Sequence, residues 1–366
     1  MAATEYGINH PLAVKKWAMG LGRDVLQDMY LSSFMGEGTD NIIQIKTELQ
    51  KGPGDTITFG LRNLLTGDGV PGDETLEGNE ERLITNDDKV VINQLRHAVR
   101  SRGKLSEQRV PFSVREECRD GLKDWWTERM EVTAFNHLCG FTPETRIAYN
   151  GGNTITAPTS TMKMYTSASH TSDETLDSND TFYLNVIDAA VEKARTQTPK
   201  IRPLRIGGKE YYVLFLHEYC ATDLRRQVTA TNSAAWFNIQ LSAMEGGKIT
   251  GNNIFTTALG EYHGVILHRS KYLTNGVNSS TGAVVSNVRR NVLCGAQAAC
   301  IAFGRDNGPT RFNWVEKKFD YENQLGVSSG TIFGMKKTTY QIEDDSANAF
   351  DYGSLVISSY AAAHSA

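Results

Sequence analysis

Ile57, Phe59 and Leu61 alternate with Thr56, Thr58 and Gly60, the period-two pattern of a half-buried strand. The strand follows a turn signal, Gly52-Pro53-Gly54-Asp55. A second strand-like run covers Lys89 to Arg100, where Val91, Leu95 and Val99 share one face with Asn93 and His97. Between the two runs lies a Gly- and acid-rich tip of about 25 residues, longer than loops inside compact domains usually are. A projection of that length needs something outside its own domain to rest on.

A long helix follows. Val114, Cys118, Leu122, Trp125, Val132, Phe135 and Cys139 recur at helical spacing. Ser113-Val114-Arg115-Glu116 reads as a capping box, Pro111 discourages an earlier start, and Cys139-Gly140 supplies the stop. The predicted length is about 26 residues, or about 39 Å at 1.5 Å per residue. Trp125 and Trp126 are adjacent, so one of them leaves the core face; the pattern assigns Trp126 to another element or another subunit.

The rest of the chain is read more coarsely. Leu12, Val14, Trp17, Leu21, Val25 and Met29 suit a helix from Pro11 to Tyr30, ended by Gly36-Glu37-Gly38. Residues 149–181 are Thr-, Ser- and Gly-rich with few aliphatics, which predicts irregular surface structure. Asp180 or Thr181 then caps a helix through Ala194, with Leu184, Ile187, Val191 and Ala194 on one face. Tyr211–Leu216 is a continuous apolar run, the mark of a fully buried strand. Ala234–Met244 suits a further helix and Tyr262–His268 a further strand. Val284–Phe303 reads as a core element, and alternation around Ile332, Met335, Tyr340, Ile342, Leu355 and Ile357 gives late strands. With no internal repeat and no low-complexity linker, the parts are expected to interweave.

Charge sharpens this picture at one place. The chain has 366 residues, 38 basic and 42 acidic, for a net charge of −4. That balance excludes a polycationic nucleic-acid binder. Yet residues 66–89 hold Asp68, Asp73, Glu74, Glu77, Glu80, Glu81, Asp87 and Asp88 against Arg82 and Lys89. Residues 95–115 hold Arg96, Arg100, Arg102, Lys104, Arg109 and Arg115 against Glu107. Each run is either a solvated face or half of a head-to-tail contact, with the acidic loop of one subunit over the basic base of the next.

The candidate chemistry is weak. The sequence has no phosphate loop, nucleophile elbow or zinc-helix motif, no secretory signal and no apolar run long enough to span a bilayer. Five cysteines, at 118, 139, 220, 294 and 300, lack zinc-ligand spacing and read as buried thiols. His217 with Cys220 is a thin case for a thiol–imidazole pair, and Glu261, His263 and His268 a thin case for a metal site. The Asp68/Asp73/Glu74 tip lacks the spacing of a calcium loop. No catalytic, cofactor or metal residue is assigned, and no cofactor is expected.

An ordered series of motifs carries a family resemblance. Lys46-x-Glu48-Leu49, Gly52-x-Gly54-Asp55 and Leu76-Glu77-Gly78-x-Glu80-Glu81 resemble the extended loop of a tailed-phage major capsid protein. Leu105-Ser106-Glu107-Gln108-Arg109-Val110-Pro111-Phe112 resembles the entry to its spine helix. Phe312-x-Trp314-x-Glu316, Asp320-Tyr321-Glu322-Asn323, Phe333-Gly334-Met335-Lys336-Lys337 and Asp351-Tyr352-Gly353 with Leu355-Val356-Ile357 resemble its closing strands. The match is nearest to the N-four-like podophage capsid family and is dense over residues 12–140 and 310–360.

The resemblance implies an α+β, HK-97-like fold. Its expected parts are an N-terminal arm (1–51), an extended β-hairpin loop (52–102), the spine helix of a peripheral domain (103–140), an axial domain (141–290) and a return to the peripheral domain with the C-terminal strands (291–366). It further implies a non-enzymatic subunit that self-assembles into hexamers and pentamers of an icosahedral head around double-stranded DNA. Portal protein, with scaffolding and decoration proteins as optional further partners, and non-specific contact with the packaged DNA complete the expected partners. No membrane is involved, and the location is the virion after assembly in the host cytoplasm. The candidate subunit interface is Asp68, Asp73, Glu74, Glu77, Glu80, Glu81, Arg96, Arg100, Arg102, Arg109 and Trp126. The alternatives are a soluble α+β enzyme with a Cys/His site and an encapsulin-like cargo shell.

Overall fold

Two sheets and one long helix organise the chain in the computed structural model, which describes residues 20–25, 27–47, 54–62, 67–81, 85–197, 200–226, 258–304, 311–341 and 349–364. The predicted helix Ala234–Met244 and residues 1–19 of the N-terminal segment lie outside these. Among the described residues no helix is long and apolar enough to cross a membrane.

The buried strand predicted at Tyr211–Leu216 runs from Lys209 to His217 at the middle of an eight-stranded sheet. Its continuous apolar run is explained by two cores. Tyr211, Val213 and Phe215 face the larger one, Tyr212, Leu214 and Leu216 the smaller. Its neighbours divide in the same way, with Val292, Cys294 and Val356 on one side and Leu293, Leu355 and Ile357 on the other. Helix Leu184–Thr196 covers the smaller core with Leu184, Ile187, Val191 and Ala194, as its spacing predicts. It starts later than expected. The Asp180 carboxylate instead accepts the Asp177 N–H at 2.9 Å and pairs with His170 at 3.0 Å, closing a turn ahead of the helix.

The second sheet has six strands. Strand Gln324–Lys337 pairs with Ala299–Phe303, Asn313–Phe319 and Asn93–Arg100. Ala299–Phe303 also pairs, in parallel, with Ile43–Lys46. The run Val284–Phe303 is therefore two strands, Val284–Cys294 and Ala299–Phe303, one in each sheet. Likewise Tyr262–His268 is interrupted by a turn at His263-Gly264, both at positive φ, between Gly260–Tyr262 and Val265–Ser270. Residues Leu21, Val25, Met29, Leu31 and Phe34 join the larger core, so the described part of this segment packs on its own subunit.

Helix Val114–Cys139 lies against the six-stranded sheet with Cys118, Leu122, Trp126 and Met130 buried. This corrects the assignment of Trp126 to a subunit interface. Its side chain is 0 % exposed, with ring centroids 5.3 Å from Phe312 and 6.4 Å from Phe333. The 118/122/126/130 stripe steps by four, and it turns Trp125 outward to stack on His97 at 4.4 Å. The Ser113 start is observed, but its hydroxyl makes no cap bond; the Glu116 and Glu117 N–H groups bond to the Ser113 carbonyl instead. At the other end Gly140 sits at φ 66, where a Cβ would meet Pro158 Cδ at 2.6 Å.

Buried ion pairs tie distant segments together. Arg290 donates from Nε and Nη2 to Asp173 Oδ2 at 2.9 and 2.7 Å, and from Nη1 to the Gly140 carbonyl at 2.7 Å and the Cys139 carbonyl at 3.3 Å. Lys163 Nζ lies 2.8 Å from the other Asp173 oxygen. The end of the long helix is thus fastened to the eight-stranded sheet by one guanidinium. Lys337 and Asp351, both buried, pair at 2.8 Å and so join two of the late motifs.

Candidate subunit interface

Strands Thr56–Arg62 and Thr85–Val91 pair antiparallel in a two-stranded sheet of their own. The expected second strand, Lys89–Arg100, breaks at Ile92: its first part completes this hairpin and Asn93–Arg100 enters the six-stranded sheet. The root of the hairpin is fastened. Ile57 and Val90 pack on Cys300 and Ala302. The Asn153 amide mimics a strand, accepting the Val91 N–H at 2.9 Å and donating to the Val91 carbonyl at 2.8 Å. Asp88 is buried, binding Lys336 and accepting the Thr339 N–H at 3.0 Å. It therefore leaves the exposed acidic run, and Asp87 pairs with Lys89 at 3.6 Å.

The tip, residues 67–81, is shaped by bonds within itself. Glu74 N–H reaches the Pro71 carbonyl, and Asn79 N–H reaches the Leu76 carbonyl at 3.0 Å. Glu80 accepts the Gly78 N–H at 2.7 Å, and Glu81 accepts the Gly67 N–H at 2.8 Å. Around Gly69, Gly72 and Gly78 there is open space, with nothing within 4 Å of where a Cβ would stand. Asp68, Asp73, Glu74, Glu77, Glu80 and Glu81 are all exposed, and no Lys or Arg occurs between 67 and 81.

The basic run is also at the surface. Arg96 and Arg100 lie on strand Asn93–Arg100, whose second edge pairs with no described strand; Arg100 sits 4.2 Å over the Phe319 ring. Arg102 and Arg109 flank the short helix Lys104–Gln108, and all four arginines are exposed. The acid of this run is withdrawn, since Glu107 accepts the Ser101 hydroxyl at 2.6 Å. Arg115 is withdrawn too, donating to Glu316 at 2.8 and 2.6 Å. Between described residues, no ion pair joins Asp68, Asp73, Glu74, Glu77 or Glu80 to Arg96, Arg100, Arg102 or Arg109.

The thin chemical candidates do not assemble. Burial pushes the Cys220 thiol up to about 11 and holds the His217 imidazole down at about 4. An activated thiol needs the reverse, a stabilised thiolate beside a proton acceptor. Cys220 Sγ instead lies 3.3 Å from Ser359 Oγ, and His217 Nδ1 accepts the Tyr219 N–H. His263 faces Asp188 at 2.9 Å, whereas His268 is buried among the rings of Tyr30, Phe34 and Phe215. All five cysteines are buried. The native chain is expected to be inert to a thiol reagent on the timescale in which the denatured chain titrates all five thiols. Rapid modification of Cys220 in the native protein would contradict this environment.

Comparison with known proteins agrees along the whole chain. The family profile for phage capsid protein matches residues 5–363. The major capsid protein of Pseudomonas phage KPP25 is 30% identical over 377 aligned positions, covering 95% of this chain and 94% of the relative. The capsid of Ralstonia phage GP4 superposes with a TM-score of 0.79 at 28% identity, covering 100% of both chains. The capsid asymmetric unit of cyanophage Pam1, at 18% identity, shares the fold with a TM-score of 0.68, covering 100% of this chain and 95% of the other.

Proposed function

This chain belongs to the phage capsid protein family as a structural major capsid subunit of the HK-97-like fold, and from that premise we propose that its acidic tip lies over the basic run of the next subunit. Self-association into a capsid lattice, as part of the virion, is what the family does. The finer reading concerns how this chain does it.

The tip carries the proposal. It is a set of hydrogen-bonded turns with six carboxylates, no basic residue and open space around Gly69, Gly72 and Gly78. An isolated subunit gains nothing from holding such a structure away from its body. A neighbour presenting Arg96, Arg100, Arg102 and Arg109 gives it something to hold. The contact is heterologous, acid on one subunit and base on the next, so a rotation that closes makes a ring. Opposite potentials fix register and suppress wrong pairings. Hexamers and pentamers of an icosahedral head are the rings we propose, built in the host cytoplasm around double-stranded DNA and joined to a portal, with scaffolding or decoration proteins where the head uses them.

In this reading the subunit is not an enzyme, the eight-stranded sheet with its helix forms the axial domain, built from residues 141–290 with the end of Val284–Cys294 and the last strand Ser354–Tyr360 added, and the long helix with the six-stranded sheet forms the peripheral one. Residues 1–51 hold the arm's place in the chain, with Leu21 to Phe34 packed in the core of their own subunit and Ile43–Lys46 paired in its six-stranded sheet. The slight negative net charge suits a container whose DNA must slide during packaging. The narrower placement among N-four-like podophage capsids rests on the motif series.

Light scattering and negative-stain microscopy of the purified chain test the function: shells, rings or tubes are expected. A monomer that persists when the neighbouring phage proteins are co-expressed would refute it. Charge exchange tests the contact. Glu77→Lys with Glu80→Lys is expected to slow assembly at least about tenfold at low salt, because exposed interfacial charges act mainly on encounter. Adding Arg102→Glu and Arg109→Glu should restore most of the rate; no restoration would argue against this pairing.

A further inference from the structure

Eight large apolar side chains are exposed among the described residues: Leu76, Val91, Leu105, Phe112, Ile147, Val284, Val315 and Tyr321. Leu76 is the one in the acidic tip, 61% exposed, and Leu105 and Phe112, 65% and 52% exposed, fall in the run that carries Arg102 and Arg109. We infer that Leu76 is the apolar anchor of the contact between subunits, seated on Leu105 and Phe112 of a second copy of this chain. The inference rests on the reading that the tip lies on a neighbour.

Both sides are built to present these groups. Leu76 opens a turn closed by the Asn79 N–H at 3.0 Å, and the Asn79 side chain fastens the preceding Thr75 carbonyl at 2.9 Å. The turn places Leu76 among Asp73, Glu74, Glu77 and Glu80. On the other side, the short helix carrying Leu105 is held at its start, where the Lys104 N–H donates to Asn323 Oδ1 at 3.3 Å and the Gln324 amide donates to the Arg102 carbonyl at 3.1 Å. Phe112 follows just before the long helix. Lys104 and Arg109 flank Leu105 as acids flank Leu76, so the two surfaces share one design with opposite sign.

That division of labour follows from the physics of interfaces. Exposed charge pairs are screened and contribute little to equilibrium affinity. A desolvated apolar centre inside a polar rim supplies the lasting part. The arginine run thus steers and orients the tip, and Leu76 holds it. A second copy is the occupant because the charge that would steer any partner onto the Leu105/Phe112 surface is the charge this chain carries on its own tip.

Disulfide trapping in assembled shells tests the anchor, since the five native cysteines are all buried. Chains carrying Leu76→Cys with Leu105→Cys, or Leu76→Cys with Phe112→Cys, are expected to give ladders of linked subunits on non-reducing gels after oxidation. A chain carrying Leu76→Cys with Arg96→Cys separates the two ideas. Ladders from that pair alone would overturn the anchor and leave the acid-on-base contact standing. Ladders from none of the three, or bonds only within one chain, would overturn both. Assembly yield gives a second readout that needs no cysteine. Leu76→Ser is expected to lower shell yield about tenfold at a fixed subunit concentration, on the scale of one buried leucine, and Leu76→Met to preserve it. Equal yields from both would overturn the anchor.

Discussion

A subunit lacking Gly67–Glu80 is expected to fold, remain soluble and form no shells. The deletion removes only the tip, where Glu74 N–H reaches the Pro71 carbonyl, Asn79 N–H the Leu76 carbonyl and Gly78 N–H the Glu80 carboxylate, all within the deleted stretch. Strands Thr56–Arg62 and Thr85–Val91 keep their pairing, and the clamps at Asn153 and Asp88 sit at the root. A shortened loop also closes at less entropic cost. The thermal midpoint of the subunit should therefore move by no more than a few degrees. Assembly responds differently because every subunit loses the same contact. A contact of about 3 kcal/mol shifts each association by more than a hundredfold. A closed ring compounds that loss around its circumference. Sedimentation and negative-stain imaging read the outcome; normal shells from the deleted chain would sink the interface assignment.

Replacing Arg290 by Met is expected to cost the subunit itself a large share of its stability. The guanidinium is 4% exposed and serves two masters, the Asp173 carboxylate and the carbonyls at the end of the long helix. Its loss leaves Asp173, 0% exposed, with Lys163 as its remaining ionic partner. Removing one member of a buried pair costs about 3–5 kcal/mol, against about 5–15 kcal/mol of stability for a whole domain. Arg290→Lys should be milder, since it keeps a charge but cannot reach both sites with a planar fork. Urea unfolding of the soluble subunits orders the three chains: native, Lys, Met.

The pH dependence has a definite sign. Burial pushes the Asp173 carboxyl up, but Arg290 and then Lys163 outweigh it and leave the group below the usual carboxylate range. A depressed folded value means that its contribution is fully present above the unfolded value of about 3.9. The contribution is lost only as pH falls further, through the depressed value. Between neutral pH and about pH 5 this cluster gives no reason for the subunit to weaken.

Local pattern made the hairpin and the long helix readable. Ile57, Phe59 and Leu61 alternate, and Cys118 to Cys139 recur at helical spacing, so each element announces itself within a few turns of chain. The pattern does not separate Trp125 from the buried Trp126, because adjacent residues on a helix differ by only about 100° and either stripe fits a few turns of chain. The buried carboxylates were invisible for another reason. Asp88 meets Lys336 across 248 positions, and Asp173 meets Arg290 across 117. Nothing near either acid distinguishes it from a solvated one, and by position alone Asp88 belongs with the exposed run. The tip acids were legible because they crowd one segment without a compensating base. Leu76, Leu105 and Phe112 stand in motifs that carry the family resemblance, but nothing in the sequence marks them as exposed; that is visible only once the fold is known.

Electron cryomicroscopy of assembled shells, at a resolution that traces residues 67–81, tests the central claim most directly. The account predicts that each tip crosses to a neighbour and lies over its Arg96–Arg109 run, with the acids of the tip facing those arginines. Tips standing free in solvent, or lying on their own subunit while the shell is held together elsewhere, would contradict it.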